Sequence, residues 1–291
     1  MEKSEIVIVF FGENNFSSVV LNALANDGYK IPLVICPFYE NDKHKNFEKT
    51  ANNVKAEFIR AKNINSPEIV QKISEINPDL CICGDFSKII GKDIIAIPKY
   101  GSINLHPSLL PKYRGLAPQH YPIINGENVT GVTVHFIDEN IDTGNIIIQK
   151  EISISRDMYV SDLLVKWREI YQTIVNEAVT IVLNGEKGRK QDEGGSFYGR
   201  LKEKDCEISL EKGVFAAYNL VRGVSSPYFG AFLKIKSEQG NVLRIWEAEI
   251  EEVSEQKEFG KIETEREDML IYFPDGILRS TYFEWEFSNN K

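Results

Sequence analysis

Within "GSINLHPSLLPKYRGLAP" (101–118), Asn104 and His106 stand two residues apart at the end of an apolar run that stops at a proline. In an extended strand that spacing puts both side chains on one face. Farther along, "NIDTGNI" (140–146) holds Asp142 in a turn between two apolar segments. An amide, an imidazole and a carboxylate suit acyl transfer. The amide N–H donates to a developing oxyanion, the imidazole handles a proton, and the carboxylate orients or charges the imidazole. A strand-end histidine taken alone is more often structural, so the chemistry depends on elements that bring the three together.

Those elements are legible. "EIVIVFFG" (5–12), "KIPLVICP" (30–37), "AEFIRA" (56–61), "LCICGDF" (80–86) and "YGSINLH" (100–106) read as buried strands. Between them, "ENNFSSVVLNALANDG" (13–28) and "SPEIVQKISEINPD" (66–79) carry helix starts and stops, with Pro67 suited to a first turn. Alternating strands and helices predict an α/β fold, a Rossmann-like, mostly parallel sheet with helices on both faces. "TGVTVHFID" (130–138) and "GNIIIQKEISI" (144–154) add two strands, and apolar residues at helical spacing predict a long helix over 160–184. In such a sheet, ligands bind beyond the carboxyl ends of the strands, where Asn104 and His106 lie.

The segment "NGEKGRKQDEGGS" (184–196) reads as a linker between a catalytic domain (1–190) and a β-rich, barrel-like domain (196–291). That second domain holds one helix near 211–223 and then short strands parted by turn residues.

The chain has 291 residues, 42% hydrophobic and 26% charged, and carries a formal charge of −9. Broad nucleic-acid binding needs clustered Lys and Arg, so the balance argues against a nucleic-acid partner. No apolar run reaches the length of a membrane span, and the N-terminus lacks a secretory cleavage pattern; a cytoplasmic protein with no membrane partner is expected. Cys36, Cys81, Cys83 and Cys206 read as buried reduced thiols, and with scattered histidines they offer no metal-ligand spacing.

The run "INLHPSLLPKYRG…TGVTVHFID…IDTGNIIIQ" resembles the folate-dependent formyltransferases that use 10-formyltetrahydrofolate. The family's Asn, His and Asp fall on Asn104, His106 and Asp142. "SFYGRL" (196–201) and "NLVRGVSSPYFGAF" (219–232) are similar to the second domain shared by methionyl-tRNA formyltransferases and the formyltransferase half of the UDP-amino-arabinose enzyme. The resemblance implies attack by a primary amine on the formyl carbon, with Asn104 and a protonated His106 stabilising the oxyanion and Asp142 supporting the imidazole. Pro107 and Pro111 would stiffen the loop after His106.

By the same resemblance, Gly84, Asp85, Phe86, Ser87 and Ile90, with Ile137 and Asp138, hold the folate. Ser108, Lys112, Tyr113, Arg114, Gln119, His120, Arg200 and Arg222 are its substrate-binding candidates. The apolar members read equally well as core, and Lys112, Arg114, Arg200 and Arg222 equally well as solvated or structural charges. His135 reads as a strand-face histidine and His44 as a solvated loop residue.

Three acceptors stay open. Methionyl-tRNA formyltransferases carry a basic insertion after the second strand; the matching stretch "CPFYENDKHKNFEKT" (36–50) offsets its lysines with Glu40, Asp42 and Glu48 and has no arginine. Glycinamide ribonucleotide formyltransferases share the motif but stop after one domain. A nucleotide-linked amino sugar, UDP- or dTDP-linked, fits best, and Leu116 stands where the amino-arabinose relative has a further arginine. A formyl-folate hydrolase or a non-catalytic binder is the other class, disfavoured by the intact Asn–His–Asp set and by a chain that starts at its first strand. The chain ends without a second nucleotide-binding domain, which implies a free-standing transferase, and a homodimer is a family-level expectation.

Overall fold

The computed structural model describes residues 2–40, 45–235, 241–251 and 259–287; His44 lies outside them. The chain divides into two compact units. Unit 1 comprises Met1–Leu116, Gly131–Ile152 and Lys166–Tyr198, and unit 2 comprises Ala117–Thr130, Ser153–Val165 and Gly199–Lys291. The division is discontinuous: two stretches inside the predicted catalytic domain pack with the C-terminal residues, because their apolar side chains cover the second core rather than the first.

In chain order the elements begin with β1 (Val7–Gly12), α1 (Asn15–Asn26), β2 (Lys30–Pro37), α2 (Lys45–Asn53), β3 (Glu57–Ala61), α3 (Pro67–Ile76), β4 (Leu80–Gly84), α4 (Lys92–Ile95) and β5 (Ser102–His106). They continue with β6 (Arg114–Gly115), α5 (Tyr121–Ile124), β7 (Val129–Phe136), β8 (Ile146–Ser153), α6 (Val160–Leu183) and β9 (Phe197–Tyr198). A seven-stranded sheet runs β3-β2-β1-β4-β5-β7-β8. Its first five strands pair in parallel, whereas β7 lies antiparallel to β5. The strand order reverses between β1 and β4, the switch point at whose carboxyl-end side ligands bind in such sheets.

Period-two burial splits the sheet side chains between two faces. Val9, Phe11, Leu33, Ile35, Cys81 and Cys83 join Ile69 and Ile73 of α3 in one core. Phe10 takes the opposite face, where its ring lies 6.2 Å from that of Phe47 in α2. The first helix starts as its sequence requires: Asn14 caps α1 by accepting from the Phe16 and Ser17 amides at 2.8 and 3.2 Å. The long helix α6 buries Trp167 and Tyr171, and Trp167 Nε1 donates to the Gly131 carbonyl at 3.2 Å.

Unit 2 carries α7 (Val214–Val224), β10 (Ala231–Lys234), β11 (Val242–Glu251), β12 (Ile262–Glu265), β13 (Asp268–Phe273) and β14 (Gly276–Glu286). The five strands form an antiparallel sheet in the order β10-β11-β14-β13-β12. Val214, Ala217, Val221 and Val224 of α7 share a core with Leu243, Ile245, Ile271 and Leu278. Among the described residues no pairing joins β10 to β12. No helix among them is long and apolar enough to cross a membrane.

Candidate active site

Asn104 and His106 project from β5, and β7 lies beside them in a register that sets Asn104 against His135. The chain leaves β7 at the start of β5, where the Ile137 amide meets the Ser102 carbonyl at 2.8 Å, and folds back so that Asp142 covers the same face. Asp142 Oδ2 lies 3.7 Å from His106 Nδ1, and its Oδ1 lies 3.5 Å from both His135 Nε2 and Asn104 Nδ2. The carboxylate is also gripped from the backbone: the Gly115 amide donates to Oδ2 at 2.8 Å. Three candidates scattered over some forty positions of sequence therefore meet, together with His135.

Tautomers follow from the fixed partners. Carbonyl oxygens only accept, so His106 Nε2, 2.7 Å from the Tyr113 carbonyl, carries a proton. His135 Nδ1 donates likewise to the Phe136 carbonyl at 2.7 Å, which leaves Nε2 to accept from Asn104 Nδ2 at 3.1 Å. The Asn104 amide is thereby held with its NH2 toward His135 and Asp142.

Burial depresses the His106 pKa below its ordinary value, against the charge of Asp142 and the Tyr113 carbonyl, which pull the other way. That direction favours the neutral ring, whereas the family resemblance implies a protonated one. Burial also opposes charge on Asp142, but attraction to the His106 and His135 imidazoles and the bond from the Gly115 amide outweigh it and hold the carboxyl far below the usual range. Asp142 is an anion, and His106 has an open Nδ1 aimed at it.

The loop after His106 is pinned rather than merely stiff. Thr133 Oγ1 donates to the Ser108 carbonyl at 2.6 Å and accepts from the Leu110 amide at 3.1 Å. Gln149 Nε2 reaches both Thr133 Oγ1 and the Leu110 carbonyl. Tyr113 and Asp142 take positive φ angles, 62° and 55°, as does Asp85 at 57°, so backbone strain gathers around the site.

The other candidates divide by what they touch. Gly84 ends β4, and burial raises the Asp85 carboxyl above its ordinary value against a 2.8 Å bond from Asn14 Nδ2. Phe86 meets the Phe11 ring edge-on at 5.5 Å, and Ser87 Oγ bonds Glu13 and Tyr39. Ile90 is a core residue with Ile137 packed against the same cluster. Asp138 is engaged by Thr143 Oγ1 and the Asn140 amide, which closes the loop that carries Asp142.

Among the substrate candidates, Ser108 is buried with its hydroxyl given to the Lys112 carbonyl, and Lys112 is exposed. Tyr113 is buried against Tyr198, ring to ring at 5.3 Å. The Arg114 guanidinium is bound by Gln191 and the Gly194 carbonyl. In unit 2, Gln119 is half-buried and Arg200 exposed.

Two further substrate candidates are buried in unit 2. His120 is buried in unit 2, its Nδ1 donating to the Gly223 carbonyl at 2.8 Å and its ring edge-on to Tyr228 at 4.2 Å. Arg222 is buried on α7 and ties down the Ser155 and Met158 carbonyls and Asn219. Both spend polar atoms on backbone carbonyls within unit 2, and Arg222 Nε is buried without a hydrogen-bond partner. Conversely, His135 and Gln191 belong to the site. Alternation in "GVTVHFID" placed His135 on a strand face, but only the register identifies that face as the one bearing Asn104.

Residues 4–179 match the formyl transferase family, and residues 200–285 match the formyl transferase C-terminal domain family. The methionyl-tRNA formyltransferase of Ruminiclostridium cellulolyticum is 36% identical over 250 residues, covering 82% of this chain and 78% of the relative. That of Thermodesulfovibrio yellowstonii is 33% identical over 279 residues, covering 94% and 89%. Among solved structures, an N-formyltransferase from Helicobacter canadensis, in complex with folinic acid and dTDP-3-aminofucose, superposes with a TM-score of 0.75 at 22% identity, covering 96% of this chain and 100% of that one. The sugar 3N-formyl transferase WlaRD, solved with dTDP and 5-N-formyl-THF, superposes with a TM-score of 0.71 at 25% identity, covering 94% and 97%.

Proposed function

The chain belongs to the formyl transferase family, and on that premise we propose that it moves the formyl group of 10-formyltetrahydrofolate to the primary amine of a nucleotide-linked amino sugar. The observation that carries the choice of acceptor is the segment 36–50. Its Lys43, Lys45 and Lys49 are offset by Glu40, Asp42 and Glu48, and it has no arginine, in a chain of charge −9. A tRNA stem is held by clustered cations, whereas a diphosphate needs only a few well-aimed donors. The likeness to WlaRD along nearly the whole of both chains supports the same reading.

The formyl donor supplies an electrophilic carbon. In this reading Phe86, Ile90 and Ile137, which share one apolar cluster, would wall the folate ring, and backbone groups of 84–87 and 137–142 would meet its edge, as the family resemblance implies. One Asn104 proton is committed to His135; the other, only loosely held by Asp142 at 3.5 Å, is free to donate to the formyl oxygen as charge builds there. His106 takes the amine's proton at Nδ1, directly or through water, and the imidazolium then lies between Asp142 Oδ2 and the Tyr113 carbonyl.

A second reading has its own support, because the relatives at 36% and 33% identity are methionyl-tRNA formyltransferases. The deciding experiment offers 10-formyltetrahydrofolate with UDP- and dTDP-linked 3- and 4-amino sugars, dTDP-3-aminofucose among them, beside methionyl-tRNA, and follows tetrahydrofolate release. Turnover with an amino sugar is expected; turnover with charged tRNA alone would replace the acceptor and leave the chemistry in place.

A further inference from the structure

Residues 180–199 fall between the two family matches, 4–179 and 200–285. Their glycines and charges look like a solvated linker, yet 180–198 are built into unit 1. Gly188, at φ +67°, comes so near β8 that a Cβ would lie 2.6 Å from the Ile146 carbonyl oxygen, and Arg189 exchanges two 2.8 Å backbone bonds with Ile146. Gly195, at φ +98°, lies against Pro111, where a Cβ would overlap the Pro111 carbonyl oxygen. These glycines serve close backbone approach rather than flexibility. Beyond them, β9 pairs with β6: the Arg114 amide donates to the Ser196 carbonyl and the Leu116 amide to that of Tyr198, both at 2.8 Å.

Gln191 is 7% exposed. Its Oε1 accepts from Arg114 Nε and Nη2 at 3.2 and 2.7 Å, and its Nε2 donates to the Asp142 and Gly144 carbonyls, both at 2.8 Å. One side chain thus joins the turn that carries Asp142 to the loop whose Gly115 amide grips the Asp142 carboxylate. The same segment sets His106: Ser196 Oγ accepts from the Tyr113 amide at 2.9 Å, and the Tyr113 carbonyl is the partner of His106 Nε2.

We propose that residues 188–198 form a strap of the active site and that Gln191 is the positioning residue that locks the Asp142 turn to the Arg114–Gly115 loop. The proposal rests on formyl transfer at Asn104, His106 and Asp142, not on the identity of the amine. A displacement of about 1 Å at a reacting group costs about 100-fold in rate, and the strap suppresses such displacement.

The test measures kcat, both KM values and the thermal midpoint of the full chain for Gln191→Ala, Gln191→Glu and, as control, the exposed Glu186→Ala outside the strap, with whichever acceptor turns over in the panel above. The Glu variant keeps the acceptor for Arg114 but has no N–H for the turn, so it separates the two halves of the contact. Both Gln191 variants are expected to lose about 10- to 100-fold in kcat with each KM within about threefold, at temperatures where all are folded, and Glu186→Ala to match the parent. Parent-like kcat in Gln191→Glu, or losses confined to KM, would overturn the proposal. If no acceptor turns over, the acceptor reading alone fails, and the same kcat comparison is made on hydrolysis of 10-formyltetrahydrofolate.

Discussion

Asn104 and His135 oppose each other across the antiparallel pairing of β5 and β7, with the amide nitrogen 3.1 Å from the imidazole Nε2. Because the His135 Nδ1 proton is committed to the Phe136 carbonyl, the ring presents an acceptor, and that acceptor decides which way the Asn104 amide faces.

Removing it frees the amide to flip. His135→Ala is expected to lower kcat about tenfold or more, short of the 10²–10³ that losing an oxyanion donor outright costs, with KM little changed. His135→Gln, which can offer a carbonyl acceptor, should recover part of the loss. Steady-state kinetics on the two variants checks this; equal damage from both would remove the orienting role.

The pH dependence follows from the two shifts in the site. His106 must be neutral to take a proton, and burial holds its pKa below 6.5. The acid limb of kcat/KM should therefore lie below 6.5, with full activity of this group at neutral pH. Asp142 raises the His106 pKa by its charge. Asp142→Asn should lower kcat and move the acid limb further down, and a limb that moves up would contradict the assignment.

His120 makes a prediction about stability rather than rate. Burial pushes its pKa down to about 4 against the Gly223 carbonyl, from 6.5. The unfolded chain therefore takes up the proton first, so the neutral-state stability is complete above pH 6.5 and is lost as pH falls toward 4. The loss approaches about 3 kcal/mol for this one group. Urea titrations across that range should show the slope in the parent and its disappearance in His120→Asn, which starts less stable at pH 7 because it loses the Tyr228 contact.

Gly144 has no room for a side chain: a Cβ would collide with the Phe136 carbonyl where the Asp142 turn folds back on β7. Gly144→Ala should cost about 2 to 4 kcal/mol and most of the activity, whereas Gly185→Ala, with nothing near its Cβ, should cost only the strain of its backbone angle. Thermal melts and turnover of the two variants distinguish crowding at the turn from a general intolerance of alanine.

Much of this was readable in the sequence, for physical reasons. Period-two and continuous apolar runs located the strands, and helical spacing over 160–184 located α6 at Val160–Leu183. Asn104, His106 and Asp142 were recoverable because a strand end and a turn have local signatures. His135 was not, since its role depends on the β5–β7 register, a long-range relation that local pattern does not encode. Nor was the strap, because glycines needed for close backbone approach look the same in sequence as glycines in a loose linker. His120 and Arg222 show the converse limit: local pattern does not tell whether a polar residue near a motif is spent on buried backbone carbonyls, as both are here.

The central claim is that Asn104 and Asp142 act as one assembly with His106 on a single acyl carbon. Its most direct measurement is kcat for Asn104→Ala, Asp142→Asn and the double variant under saturating 10-formyltetrahydrofolate. Groups that act as a unit are grossly non-additive, so the double variant should be about as slow as the slower single. A double variant slowed by the full product of the two single losses would mean that the residues act independently.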